Sequence, residues 1–534
     1  MKLRTLSATI IGIALCMGCA SQHTFADAEA KGKRPLKVYI LAGQSNMTGM
    51  AKITTLEHIK MVPDTAKKFA DLFDENGKPV VLDDVYVSQW LDKDGGKLAP
   101  GYGGGGGDKL GPEYAFGIYM HKKLQEPILL IKTSLGGSSL NFRFRSPSSG
   151  TWTPPPGHPD LIKKEDVKLS DLPIPEKLDI PDDWVPEKPY RLKSRHLNMG
   201  GFKGAVVGKM NGVSPVYIKK APRIDLKGDP FKVGDLIIGI DGAGMRDDCI
   251  QHWRDAWFNS KAIDGDWMIT VTRWRNGNIE TFDFDIADTL EGGRAKLPEK
   301  IEKMKQAKIK EMKKSGYLYR DMIAHVQTVL EDVKAHHPAY DPEAGYELAG
   351  FVWFQGWNDM IDGETYPNKD KPRGYEQYTW LLENLIRDVR KDLDAPDMPA
   401  VIGVMGVGGV QTEGMKGYFQ QAQAAVAEKP EFKETVANVY AGKYWDHDLE
   451  ALFNKSNKIR KKSWDFKHED GLEGEALKKA YAEYRAKHIT PEEENLLKVG
   501  VSNQDFHYLG SAKILCGIGK GFAEAMIDLS ENKK

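Results

Sequence analysis

Cysteine is scarce. Of four residues in a chain of 534, Cys16 and Cys19 stand near the start, which leaves only Cys249 and Cys516. Two thiols cannot build a disulfide framework, even in an oxidising compartment. Charge of one sign is also missing: the formal net charge is −1, so no basic excess points to nucleic acid. No apolar run reaches the ~20 residues needed to cross a membrane. Histidines are scattered, and a pair such as His336-His337 matches no metal-ligand spacing. Residues 101–107 are all glycine except Tyr102, but they lack the Gly-Lys-Ser/Thr ending of a phosphate-binding loop. They are read as a flexible surface loop whose place before Gly111-Pro112-Glu113 sets it at the rim of a site.

What is present begins with an export signal. Lys2 and Arg4 precede an apolar stretch from Ala8 to Met17, and Ala26-Asp27-Ala28 offers a cleavage site. Residues 1–28 are therefore read as a signal peptide. Cys19 after Gly18 offers lipid attachment as the alternative. Periplasmic, extracellular and lipid-anchored destinations all stand.

Lys37 to Met47, KVYILAGQSNM, organises the rest. Val38 to Ala42 is apolar with almost no alternation, the pattern of a strand buried on both faces. Gly43, Gln44, Ser45 and Asn46 follow at its carboxyl end, the edge where open α/β sheets hold ligands. The same junction recurs twice. Strand Ile128 to Thr133 runs into Leu135-Gly136-Gly137-Ser138, whose glycines let backbone N–H groups approach an anion. Strand Leu348 to Phe354 ends in Gln355-Gly356-Trp357-Asn358-Asp359. With strands Ala400 to Val404 and Val436 to Tyr440, and helices between, the alternation predicts a parallel sheet between helix layers. Near the end, Gln504-Asp505-Phe506-His507 precedes a closing helix. A serine, a glycine pair and an asparagine beyond three strand ends, with a histidine before the last helix, are the parts of a serine hydrolase.

The middle of the chain differs. Residues 151–195 are rich in proline and charge and read as an extended linker from which no core is built. Residues 196–290 carry Phe231 to Gly242, FKVGDLIIGIDG, then a helix predicted from about Asp248 to Asn259 and a strand pair about turn Asn276-Gly277. This order resembles the second half of a bacterial-type PDZ domain, which implies a groove for a peptide or protein ligand; a purely structural insert is the other reading. Residues 291–316 form a solvated helical linker, and the first texture resumes over 317–526.

GQSNM at Gly43 to Met47, KTSLGGSSL at Lys132 to Leu140, FVWFQGWND at Phe351 to Asp359 and QDFHYLG at Gln504 to Gly510 occur in that order. Together they resemble the SGNH hydrolase superfamily, in its branch of sialate O-acetylesterases and related carbohydrate esterases. The resemblance covers residues 35–150 and 317–526. It implies an α/β fold, a three-layer flavodoxin-like parallel sheet, here with the small α+β PDZ-like unit inserted. It implies that Ser45 is the nucleophile and His507 the base, with Gly136 or Gly137, Asn358 and Gln355 as oxyanion donors. It implies an acetylated carbohydrate substrate and no metal or organic cofactor. The superfamily's acid stands three residues before the histidine, where this chain has Gln504; Asp505 is the nearest carboxylate and is taken as the orienting acid. A Ser45-His507 dyad steadied by a backbone carbonyl or by Asp446 or Asp448 is the rival. Trp357 departs from the Glu usual in the carbohydrate branch. The strained elbow of α/β-hydrolases would need glycine at Met47, which disfavours that fold. A PDZ-type scaffold with a decayed site and a lipid esterase remain as other functional classes.

Overall fold

The computed structural model describes residues 34–90, 93–153, 170–180, 203–206, 208–220, 230–249, 252–253, 256, 260, 266–289, 292–468 and 470–532. The predicted signal peptide, Cys19 and much of the helix predicted over Asp248 to Asn259 lie outside them.

A seven-stranded sheet frames the molecule. Across it run Val436–Tyr440, Ala400–Val404, Tyr346–Phe354, Leu36–Gly43, Ile128–Ser134, Leu82–Gln89 and Lys93–Leu98. Every pairing is parallel except the last. The edge strand Lys93–Leu98, which has glycines at its centre and no apolar run to announce it, turns back as a hairpin. Without that hairpin the five remaining strands, counted along the chain, lie in the order 2-1-3-4-5 of a flavodoxin-like sheet. In such a sheet the crevice opens at the carboxyl end of the first strand, which here is Gly43.

The central strand is buried on both faces because successive side chains feed two cores. Tyr39 and Leu41 join the cluster that includes Tyr114, Phe116, Ile518 and Phe522, from helices Pro112–Leu124 and Ala512–Glu531. Val38, Ile40 and Ala42 join Val326, Tyr378 and Leu382, from helices Tyr317–Glu331 and Glu376–Asp392. The expected layering of helices on a parallel-rich sheet is thus present, and it fixes where the strand ends point.

A second, antiparallel sheet is built from Asn278–Asp285, Met268–Arg275, Leu236–Ile240, Val216–Lys220 and Lys203–Val206. It has a core of its own, containing Val216, Ile237, Cys249, Trp253 and Phe284. Two expectations about its surroundings need correction. Within the proline-rich linker, Leu178 is buried beside Ile238 with Ile174 and Ile180 against it, and the Gly244 N–H donates to the Leu172 carbonyl. The linker helix is not solvated throughout either, since Leu297 and Ile301 of helix Leu297–Met312 pack on the same core. Widely spaced apolar residues between prolines or lysines give no periodic signal, so the sequence pattern hides them. Cys249 and Cys516 are buried thiols in separate cores and are not bridged.

Candidate active site

The turn after the central strand is held from several sides. Gly43 has φ +152°, and a Cβ there would lie 2.1 Å from the Phe354 carbonyl oxygen, so only glycine lets the two strand ends meet this closely. Gln44 is buried. Its N–H donates to the Phe354 carbonyl and its Oε1 accepts from the Gly356 N–H at 3.0 Å. Ser45 opens a single helical turn, Ser45–Thr48, and is 5 % exposed. From the neighbouring strand Lys132 reaches under this turn, donating to the carbonyls of Thr48 and Tyr102 and pairing with Glu113 at 2.8 Å, with both charged side chains fully buried. The same lysine therefore ties the start of the glycine-rich loop to the serine turn. Gly104 N–H donates to the Gly49 carbonyl, which seats that loop against residues 48–50, as its expected place at the rim requires.

His507 comes from the turn Asp505–Gly510. Tyr508 and Leu509 are buried at φ 53° and 59°, a left-handed backbone that side chains rarely adopt. Ser502 and Asn503 N–H both donate to the Leu509 carbonyl, and the Tyr508 hydroxyl accepts from the Gly406 N–H. These bonds over-determine the conformation and aim the imidazole at the serine. His507 Nε2 lies 2.9 Å from Ser45 Oγ, and Nδ1 lies 3.0 Å from Asn503 Oδ1. The Gln504 N–H also donates to Asn503 Oδ1, at 2.8 Å. An oxygen that already accepts one N–H can only accept from Nδ1 as well, so Nδ1 carries the hydrogen and Nε2 is left as acceptor for the serine O–H. Burial pushes the imidazole below its ordinary pKa, Lys109 adds to that, and Asp505 opposes it. At neutral pH the ring is an uncharged base.

Two expected roles need correction. Asp505 acts on His507 only through its charge; it makes no hydrogen bond to the ring, and Asn503, on the other side of Gln504, holds Nδ1 instead. Within a turn rather than an extended segment, side chains two apart diverge, which is why Asp505 misses. Gln355 is not available as an oxyanion donor. Its Nε2 is spent on the Ser138 carbonyl and on Asp359 Oδ2, while Tyr378 donates to its Oε1. Asp446, one of the distant acids considered, pairs with Lys513.

The remaining expected residues line the same strand ends. The Leu135 N–H donates to the Gly43 carbonyl, and a Cβ on Gly136 would stand 3.6 Å from Ser45 Cβ, so the glycine backbone passes directly beside the serine. Gly137 takes φ +69°. Asn358 is partly exposed, and its side-chain amide has no partner among the described residues. Sequence reasoning missed Asp359, which is wholly buried and accepts from the Leu140 and Asn141 N–H groups at 2.7 and 3.0 Å. Burial pushes its carboxyl up to about 6. Its work is to clamp the loop that carries Gly136 and Gly137. A carboxylate directly after an apolar strand was the available signal.

The model of the carbohydrate esterase family SASA, sialic acid-specific acetylesterase, matches residues 35–150 and 305–446. The match supports an esterase. It spans a little under half of the chain, omits the antiparallel sheet and stops before Asn503 and His507. The SASA-type portion thus contains Ser45, Gly136, Asn358 and Asp359, and the C-terminal turn is brought to them by the fold. There is no match among curated proteins. Among solved structures, a protein of Arabidopsis thaliana is 13 % identical at a TM-score of 0.30, covering 76 % of this chain and 86 % of that one. A carbohydrate acetylesterase of Xanthomonas citri is 10 % identical at a TM-score of 0.27, covering 75 % and 49 %. Overlaps this small leave the reading to the SASA match and the site geometry.

Proposed function

We propose that the chain is an exported serine esterase that removes O-acetyl groups from carbohydrate by acyl transfer through Ser45 and His507. The observation that carries this reading is the Ser45–His507 contact, with Nδ1 fixed so that Nε2 must accept. As Ser45 Oγ bonds to the ester carbonyl carbon, its proton passes to Nε2. The carbonyl oxygen becomes an oxyanion that the Ser45 and Gly136 or Gly137 N–H groups and the Asn358 amide stabilise. Collapse breaks the ester bond, and the sugar oxygen leaves with the proton from His507. Water then attacks the acetyl-serine with His507 again as base, which releases acetate and restores Ser45.

The SASA match favours a sugar ester over a lipid ester. Acetate release from acetylated polysaccharides and O-acetylated sialic acids, measured beside a neutral series of increasing acyl length, tests the reading. Preference for long acyl chains over every sugar acetate would favour the lipid-esterase alternative. The antiparallel unit is proposed to fold as a separate PDZ-like insert between the two hydrolase segments and to take a peptide or protein ligand. Its own buried core and its position in the gap of the SASA match support separateness.

A further inference from the structure

We propose that Trp357 and Phe506 form an aromatic platform that stacks the pyranose ring carrying the acetyl group; this deepens the esterase reading and rests on it. The two residues are far apart in the chain, one just beyond strand Tyr346–Phe354 and the other on the C-terminal turn. The fold brings their ring centroids to 5.7 Å with planes 32° apart. Phe506 in turn lies 4.5 Å from the His507 ring. Trp357, Phe506 and His507 thus form a row that ends at the base and its serine.

Core packing accounts for only one of the pair: Trp357 packs against both cores of the main sheet, whereas Phe506 belongs to none of the hydrophobic clusters, and both rings remain partly exposed. A partly exposed aromatic surface beside a reactive serine suits a ligand with an apolar face and a polar edge. An equatorially substituted pyranose of the xylose or glucose type has that shape: axial C–H bonds on its faces and hydroxyls around its rim. A fatty acyl chain would also cover the rings, but a donor on the platform argues against it. The Trp357 indole N–H has no partner among the described residues, and an acyl chain lying over the ring would cover it without pairing it, while a sugar hydroxyl accepts from it. A pyranose lying across Trp357 and Phe506 places an acetyl on its rim toward Ser45, so the platform sets which ring position is presented.

The test compares the full-length protein with its Trp357→Ala, Trp357→Phe and Phe506→Ala variants on acetylated xylo-oligosaccharide and on 4-nitrophenyl acetate. The expected result is a rise of about tenfold in KM for the oligosaccharide in both alanine variants. The ratio of sugar to aryl kcat/KM should fall with it, and Trp357→Phe should recover most of the loss. Equal losses on both esters, or no change on the sugar, would overturn the platform while leaving the esterase reading intact. Loss confined to longer acyl chains would assign the rings to an acyl group instead. Should Trp357→Ala not fold, Phe506→Ala, which removes a ring from no core, carries the same comparison. If the unaltered protein releases acetate from no ester, the esterase reading fails; calorimetric titration with unacetylated xylo-oligosaccharide then decides the platform, supported by binding that Phe506→Ala weakens and overturned by no binding.

Discussion

Replacing Asn503 by alanine removes the only hydrogen-bond partner of His507 Nδ1 among the described residues and leaves Nε2 facing Ser45. In the transition state His507 becomes an imidazolium, so the lost interaction is that of an amide oxygen with a charged donor. Such a bond contributes about 1.5–3 kcal/mol, which corresponds to roughly a tenfold to hundredfold fall in kcat/KM. That is far less than the fall of about 10⁴ seen when a triad carboxylate is neutralised. Folding should suffer little, because Gln504 is exposed and water can replace the oxygen lost to its N–H. Asn503→Asp keeps the acceptor and adds a negative charge, which raises the His507 pKa. Because only the neutral ring accepts the serine proton, the acid limb of the pH–rate profile must then move to higher pH. Initial rates on an aryl acetate across pH, with circular dichroism to confirm folding, measure both effects. An Asn503→Ala variant with unchanged kcat/KM, or one that loses about four orders of magnitude, would refute the assignment of a neutral orienting residue.

Three further outcomes follow from the same geometry. His507 is held below its ordinary pKa by burial and then by Lys109, with Asp505 opposing. The acid limb should therefore lie below the usual histidine value of about 6.5, move up in Lys109→Gln and move down in Asp505→Asn, which should otherwise turn over nearly normally; opposite shifts in kcat/KM profiles would contradict the site electrostatics. Lys132→Met strands the buried Glu113 carboxylate, at a cost of about 3–5 kcal/mol, read as a lower urea midpoint; an unchanged midpoint would mean that the pair does not secure the serine turn. Replacing residues 170–304, which hold the antiparallel sheet together with the linker and helix residues packed on its cores, by a short linker should leave turnover of 4-nitrophenyl acetate largely intact, and a dead enzyme together with an unfolded excised fragment would show that the insert is not a separate unit.

The strands that position the site were legible because each is buried on both faces: Val38 to Ala42, Ile128 to Thr133 and Ala400 to Val404 are nearly continuous apolar runs, and the structure places strands on all three. Ser45 and His507 were legible as a pair only through the family resemblance, since 462 positions separate them and it is the sheet and the closing helix that bring them to 2.9 Å. Asn503 escaped notice because the search was for a carboxylate, while its function depends on a left-handed turn at Tyr508 and Leu509 that residue types do not reveal. Gln355 was misread for the opposite reason. Its amide looked available in sequence, and only the fold shows it bonded to Ser138 and Asp359. Leu178 and Leu297, isolated among prolines and lysines, show that a buried residue without periodic neighbours leaves no pattern to read.

The central claim is that Ser45 Oγ is the atom that accepts the acetyl group, and the direct measurement is acetate release by full-length Ser45→Ala from an acetylated xylo-oligosaccharide and from 4-nitrophenyl acetate. The account predicts a loss on the scale of about 10⁶-fold in kcat on both esters, with the urea midpoint unchanged within about 1 kcal/mol of stability. Acetate release at the unaltered protein's rate from a folded Ser45→Ala variant would contradict it.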